Sequence, residues 1–475
     1  MKKKQISLTV ITLVASLGGF LFGFDMAVVS GILPLVQQQF LLSAAQEGWF
    51  VSSALVGCII GVAFSGELSD RLGRKKLLLL SAALFVLSAL GCALLPTLSW
   101  IIAARLVGGI GIGIASNVVP LYISEIAPPS IRGRLVTYYQ FALTFGILVA
   151  YLTNAALVSY AAHHPPTEGF LSVLLGKEVW RAMFGLGVVP ALCFLAGLFL
   201  VPESPRWLFQ KGREAEGREI LGRIAQSPQA RAEAQAAAAD RHAAGSYKEL
   251  FAPGMRKALL IGILLPLFSQ FSGINAIIYY GPSILSNAGI SLSNSLISQI
   301  IFGAANMLFT LVAIWKVDSW GRRPLYILGT AGAALTLLLT GWCFYAGATT
   351  SLWLLVCVLA FLACFAFSIG PLKFVVASEI FPNAIRGRAL AISIMVMWIA
   401  DTIVGQLTPI LLREIGSAGT FWFFAFFCIV ALVTVYKLLP ETKGQSLEQI
   451  ENYWKEKGIT VTKEELAKEE GMLLH

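Results

Sequence analysis

Residues 120–133 read Pro-Leu-Tyr-Ile-Ser-Glu-Ile-Ala-Pro-Pro-Ser-Ile-Arg-Gly, and residues 378–388 read Ser-Glu-Ile-Phe-Pro-Asn-Ala-Ile-Arg-Gly-Arg. The shared core, Ser-Glu-Ile-x-Pro followed by Ile-Arg-Gly-Arg, recurs at an offset of 254 residues. Two more landmarks recur in the same order. Asp70-Arg71-Leu72-Gly73-Arg74-Lys75 is matched by Asp318-Ser319-Trp320-Gly321-Arg322-Arg323, and Pro202-Glu203-Ser204 by Pro440-Glu441-Thr442, at offsets of 248 and 238. Three ordered matches are the signature of an internal repeat.

Long apolar runs separate the landmarks. The chain has 475 residues, of which 57% are hydrophobic and 13% charged, against about 25% charged in soluble domains. A single water-soluble core stops growing near 250–300 residues, so runs of this length belong in a bilayer. Apolar windows predict twelve spanning helices near 8–33, 46–66, 77–95, 98–121, 133–158, 181–201, 257–286, 294–316, 325–347, 352–376, 388–412 and 418–439. Lys2–Lys4 before an apolar run imitate a signal peptide. The run continues to about Pro34 and carries Asp25, so it reads as a retained first span.

The net charge of +9 does not point to nucleic acid, because the basic residues cluster between apolar runs. With the N-terminus inside, the inner loops hold Arg71, Arg74, Lys75, Lys76, Arg132, Arg134, Lys316, Arg322, Arg323, Arg386, Arg388, the 203–256 stretch and the tail. The outer loops hold little beyond Lys177, Arg181 and Arg413. By the positive-inside rule both termini are cytoplasmic. The expected organisation is a six-helix half over 1–202, a cytoplasmic helical linker over 203–256, a second half over 257–439 and a tail over 440–475. In the tail, Leu447, Ile450 and Trp454 form the stripe of a short surface helix. Parallel repeats around a midplane site are the architecture of alternating-access carriers.

The motifs GELSDRLGRKK (66–76), RLVGGIGIGIAS (105–116), PLYISEIAPPSIRG (120–133), PESPRWL (202–208), QFSGINAIIYY (270–280) and PETKGQSL (440–447), with the 318–323 and 378–387 stretches, resemble the sugar porter family of the major facilitator superfamily. The pattern is similar to bacterial xylose–proton symporters and animal facilitative glucose carriers. The resemblance spans nearly the whole chain. It implies a twelve-helix all-α membrane protein in two parallel halves that moves sugar with a proton, in the cell membrane, as a monomer.

Asp25 lies inside the first span. A carboxylate at membrane depth is paired, protonated or functional, and Arg105 near the start of the fourth span is its expected partner. The resemblance implies that this aspartate couples protons; a static ion pair is the alternative. Gln140, Gln270, Asn275, Asn306 and Trp398 are polar or amphipathic residues inside apolar segments, and the resemblance aligns them with sugar contacts. Sugar hydroxyls need donors and acceptors, and C–H faces pack on rings. For each amide, an interhelical hydrogen bond is the competing reading. Gln270 and Asn275 are five residues apart, so they share a cavity only if the helix is locally unwound, for which Gly273 is suited, or if the cavity is wide. Tyr279 and Tyr280 match an outer gate. Asp70, Arg71, Arg74, Glu125 and Arg132, with Asp318, Arg322, Glu379 and Arg386, form a candidate cytoplasmic gating network; plain topology signals are the alternative.

Three positions depart from the family pattern. Ser269 stands where two glutamines are common, Phe374 replaces a tryptophan, and Asp401 replaces an asparagine, while Lys373 adds a cation. Lys373 and Asp401 either pair with each other, or Lys373 faces an anionic substrate such as a uronic acid. No cofactor loop, HExxH motif or Walker A sequence occurs, and the four histidines (163, 164, 242, 475) lie outside the predicted spans. An enzyme, an ATP-driven pump or a metal site is therefore not expected, and the proton is the only coupling partner besides substrate and bilayer. The seven cysteines read as small core residues. A sugar sensor is a further class, disfavoured by a tail of about 35 residues. Within carriers, sugar uniport and symport of a sugar acid or polyol remain the rivals.

Overall fold

The computed structural model describes residues 7–128, 131–164, 169, 173–224, 247–252, 255–287, 289–348, 352–381 and 383–443. Twelve helices in it are long and apolar enough to cross a membrane. They are α1 (Leu8–Phe40), α2 (Ala44–Leu72), α3 (Arg74–Leu94), α4 (Leu98–Ile126), α5 (Arg132–His163), α6 (Val179–Leu200), α7 (Arg256–Ser286), α8 (Leu292–Trp320), α9 (Arg322–Tyr345), α10 (Leu352–Ala377), α11 (Asn383–Glu414) and α12 (Gly416–Leu438). No strand occurs among the described residues. In hydrocarbon every backbone group must be satisfied within the protein, and helices do this within one segment.

Each predicted span is present, most of them longer than expected. α1 continues through Pro34 to Phe40 and ends at Leu41 in the left-handed conformation. Between α6 and α7 run short helices at Pro205–Gln210, Glu214–Ile224 and Tyr247–Leu250. Residues 225–246 and the expected tail helix around Leu447, Ile450 and Trp454 lie outside the described residues.

With an even number of spans, the start of α1 and the end of α12 lie on one face of the bundle, called the terminal face. Glycines set the closest helix approaches. A Cβ on Gly57 or Gly61 of α2 would strike backbone oxygens of α4, and one on Gly23 of α1 would strike α5. Large apolar side chains such as Phe64, Phe199 and Leu335 point outward, as lipid requires. Trp100, Trp342, Tyr345 and Trp353 are exposed near the far face, where amphipathic rings suit a membrane–water interface.

The first six spans meet the last six mainly through α2 against α11, α5 against α8, and α1 against α7. The hydrogen bonds named here lie towards the far face. Ser52 Oγ donates to Gln406 Oε1 at 2.9 Å, Gln406 Nε2 donates to Ala45 O at 3.0 Å, and Tyr151 OH donates to Ile278 O at 3.3 Å.

Candidate substrate and proton site

The central feature is the break in α7. Helix runs from Arg256 to Phe271 and resumes at Ile274, with Gly273 between at φ +83°. A side chain there would be strained, and its Cβ would also lie 2.6 Å from the Phe424 ring. The break brings Gln270 and Asn275 together, so of the two alternatives the helix is locally unwound. Asn275 Nδ2 donates to Gln270 Oε1 at 2.7 Å and to Asp401 Oδ1 of α11, also at 2.7 Å. Tyr279 OH donates to Asp401 Oδ2 at 3.1 Å, and Tyr280 OH donates to Gly405 O at 2.6 Å. The two tyrosines therefore tie α7 to the outer part of α11.

The expected Asp25–Arg105 pair and the pairing alternative for Lys373 and Asp401 are both absent among the described residues. Arg105 does not contact Asp25. Its Nε donates to Phe50 O at 2.8 Å and its guanidinium lies over the Phe50 and Phe184 rings, at 5.0 and 5.6 Å. Carbonyl and ring faces satisfy the cation at the α2–α4 contact, though Nη1 has no partner. Asp25 makes no hydrogen bond or ion pair among the described residues, but it shares a small pocket with Arg105, lined also by Met26, Val51 and Tyr279. Likewise Lys373 does not form an ion pair with Asp401. Its Nζ donates to Ser269 Oγ at 2.9 Å, while Asp401 is occupied by Asn275 and Tyr279. The neutral donors of α7 lie closer to Asp401 than the lysine does.

The remaining candidates are less engaged. No side-chain hydrogen bond of Gln140 or Asn306 occurs among the described residues; Thr144 and Thr310 bond only their backbone carbonyls. Trp398 is fully buried, packs against Phe22 with ring centroids 5.3 Å apart, and has an unpaired Nε1. Polar groups inside the bundle with hydrogen-bonding capacity to spare are what a hydroxyl-rich ligand needs. The Phe374 side chain lies outside the described residues.

At the terminal face the repeat becomes two matching clusters. Arg74 Nε and Nη2 donate to the two Glu125 carboxylate oxygens, each at 2.9 Å, and Ser204 Oγ donates to Glu125 at 2.5 Å. Arg322 Nε and Nη2 donate to Glu379 at 3.2 and 2.9 Å, and Thr442 Oγ1 donates to it at 2.6 Å. Asp70 is exposed and 3.1 Å from Arg74, whereas Arg71 pairs on the surface with Glu67 at 2.5 Å. The side chains of Arg132, Asp318 and Arg386 lie outside the described residues.

Two carboxylates absent from the candidate set complete these clusters. Glu203 accepts from Arg74 N, Lys75 N and Ser204 N, capping the start of α3. Glu441 accepts from Arg322 N, Arg323 N, Thr442 N and Lys443 N, capping α9. A negative charge at a helix N-terminus is stabilising. Gly73 and Gly321 have φ of +98° and +90°, and each lets its carboxylate approach the backbone closely. Burial pushes the Glu441 carboxyl up, but the four backbone N–H groups outweigh it and hold the carboxyl below its ordinary value. Gln406, which closes the far face, was also missed. The signals were the repeated Pro-Glu-Ser/Thr and an amide inside an apolar helix.

Comparison with known proteins agrees with this architecture. A family model described as sugar (and other) transporter matches residues 11–454. The arabinose-proton symporter of Bacillus subtilis is 40% identical over 446 residues, covering 94% of each chain. The D-xylose-proton symporter of Escherichia coli is 38% identical, covering 94% of this chain and 95% of that one. The inward open structure of the xylose transporter XylE from E. coli superposes with a TM-score of 0.78 at 36% identity, covering 94% of this chain and all of that one. The chain has the major facilitator fold and is a multi-pass membrane protein. It belongs to the sugar transporter family.

Proposed function

We propose that the protein is a proton-coupled sugar symporter of the cell membrane that works by alternating access. The observation that carries this reading is Asp25, a carboxylate inside α1 without a hydrogen bond or ion pair among the described residues, on a pocket shared with Arg105. A carboxylate so placed can take a proton from one face and lose it to the other. Close by, the α7 break presents Gln270 and Asn275. With Gln140, Asn306 and Trp398 they supply the amides and an apolar plane that a sugar needs. The named relatives, symporters of arabinose and xylose, support the same substrate class.

The chain divides into a half over 1–202 and a half over 257–439, joined by the 203–256 linker, with the terminal face cytoplasmic. The contacts between halves from Ser52, Gln406 and Tyr151 then close the outer side, with Tyr279 and Tyr280 holding α7 to α11 below them. The Arg74–Glu125 and Arg322–Glu379 clusters each lie within one half. This is the arrangement of a carrier facing the cytoplasm. Rocking the halves closes the inner side and opens the outer one, and a monomer suffices.

Lys373, buried beside Ser269, favours a second substrate class, a sugar carrying a carboxylate. One experiment separates the readings: uptake into liposomes by purified protein, with an inward proton gradient, over neutral pentoses and hexoses, polyols and hexuronates. Gradient-driven accumulation of a neutral sugar supports the proposal. Accumulation of hexuronates alone moves Lys373 into the binding site, and equilibration indifferent to the gradient makes the protein a uniporter.

A further inference from the structure

Asp401 is a second carboxylate at membrane depth, and proton coupling through Asp25 makes no use of it. It is 1% exposed. Its donors are the neutral Asn275 amide and Tyr279 hydroxyl, both from the part of α7 beyond the break. No cation lies within ion-pairing distance of it among the described residues. A full charge held only by two neutral donors in a lipid-embedded interior is costly. A proton removes that charge.

The position of Asp401 joins two parts of the site. Tyr279, which donates to it, also lines the pocket of Asp25 and Arg105. Asn275, which also donates to it, spends its other N–H on Gln270. An unbroken hydrogen-bonded chain thus runs from Gln270 through Asn275 and Asp401 to Tyr279 at the edge of the Asp25 pocket. The titratable and charged groups around Asp401 are Tyr279 and Tyr280 of α7, Lys373 of α10 and Cys58 of α2, with Asp25 and Arg105 across the pocket.

We propose that Asp401 is a second proton-binding carboxylate of the transport path, linked to substrate through Asn275 and to the Asp25 pocket through Tyr279. Both amide hydrogens of Asn275 are already used. A sugar hydroxyl that accepts one of them displaces Gln270 or Asp401. A carboxylate that loses a donor to its charged form binds a proton more readily, so substrate arrival draws a proton from water onto an Asp401 oxygen. No other bond forms or breaks. The inference rests on the symporter reading and extends it, from one protonated carboxylate to two.

The test needs no substrate, since its probe is the proton. Infrared difference spectra of the full chain in liposomes are recorded during a pH titration, in the region of the protonated carboxyl C=O stretch. Asp401→Asn is expected to lose one buried carboxyl band and Asp25→Asn another. Tyr279→Phe removes one donor, worth roughly 1 kcal/mol, and is expected to displace the titration of the Asp401 band by roughly one pH unit while leaving the Asp25 band in place. Asp401→Glu keeps a carboxyl and is expected to shift the band in frequency, which covers the case that the amide variant does not fold. An Asp401→Asn or Asp401→Glu spectrum identical to the parent overturns the proposal. If Asp25→Asn alone loses a band, one-carboxylate symport stands and this extension fails. If Asp401→Asn alone loses one, Asp401 carries the proton and the role given to Asp25 fails.

Discussion

Removing the Glu125 carboxylate tests the repeated clusters quantitatively, because its counterpart Glu379 provides an internal control. The Arg74 and Glu125 side chains are 4% and 3% exposed, and their two N–H···O bonds of 2.9 Å engage both carboxylate oxygens. In Glu125→Ala the guanidinium keeps only Ser69 O, at 3.1 Å, and the exposed Asp70. Leaving one member of a buried pair uncompensated costs about 3–5 kcal/mol. Arg322 and Glu379 are 12% and 25% exposed, and both bonds fall on one oxygen. Water replaces part of what Glu379→Ala removes, so about 1–2 kcal/mol is expected there. Thermal unfolding of the purified protein should rank the variants as parent, Glu379→Ala, then Glu125→Ala. Arg74→Met should rescue Glu125→Ala, because an apolar replacement of a whole buried pair is close to neutral. Equal shifts for the two alanine variants, or no rescue, would refute the assignment of a buried charge pair to the first cluster.

Gly273→Ala adds strain of about 1–2 kcal/mol at a positive φ and a clash with Phe424; transport should be lost, and Phe424→Leu should restore stability more than activity. Gln406→Ala removes the bonds to Ser52 and Ala45. At roughly 1 kcal/mol per bond, about 2 kcal/mol in all, it should shift the population towards outer-open by about thirtyfold, read by spin-label distances between the outer ends of α2 and α11. The lowered Glu441 carboxyl contributes stability that is present above its unfolded value of about 4.5 and lost as pH falls through the folded value. The thermal midpoint should fall more steeply below pH 4.5 in the parent than in Glu441→Gln.

The sequence carried the twelve spans because lipid imposes one requirement along twenty residues at a time, and because each landmark occurs twice. It pointed to the α7 break through Gly273, as one of two ways for Gln270 and Asn275 to share a site. The pairing expected of Asp25 with Arg105, and the pairing alternative for Lys373 and Asp401, are absent for a physical reason. Opposite charges in adjacent helices suggest contact, but Phe50 O and two rings satisfy Arg105, and α7 donors satisfy Asp401. Which partner wins depends on side-chain reach, which spacing along one chain does not contain. Glu203 and Glu441 were visible as landmarks but not as caps, since the helix-start N–H groups they cap are 118–129 residues away.

The most direct test of proton-coupled sugar transport is accumulation of a neutral sugar in liposomes by the parent and by Asp25→Asn. A proton-motive force of about 60 mV supports about tenfold accumulation per coupled proton. The parent should concentrate the sugar towards that limit, and Asp25→Asn should equilibrate it without concentrating it. Accumulation by Asp25→Asn equal to that of the parent would contradict the account.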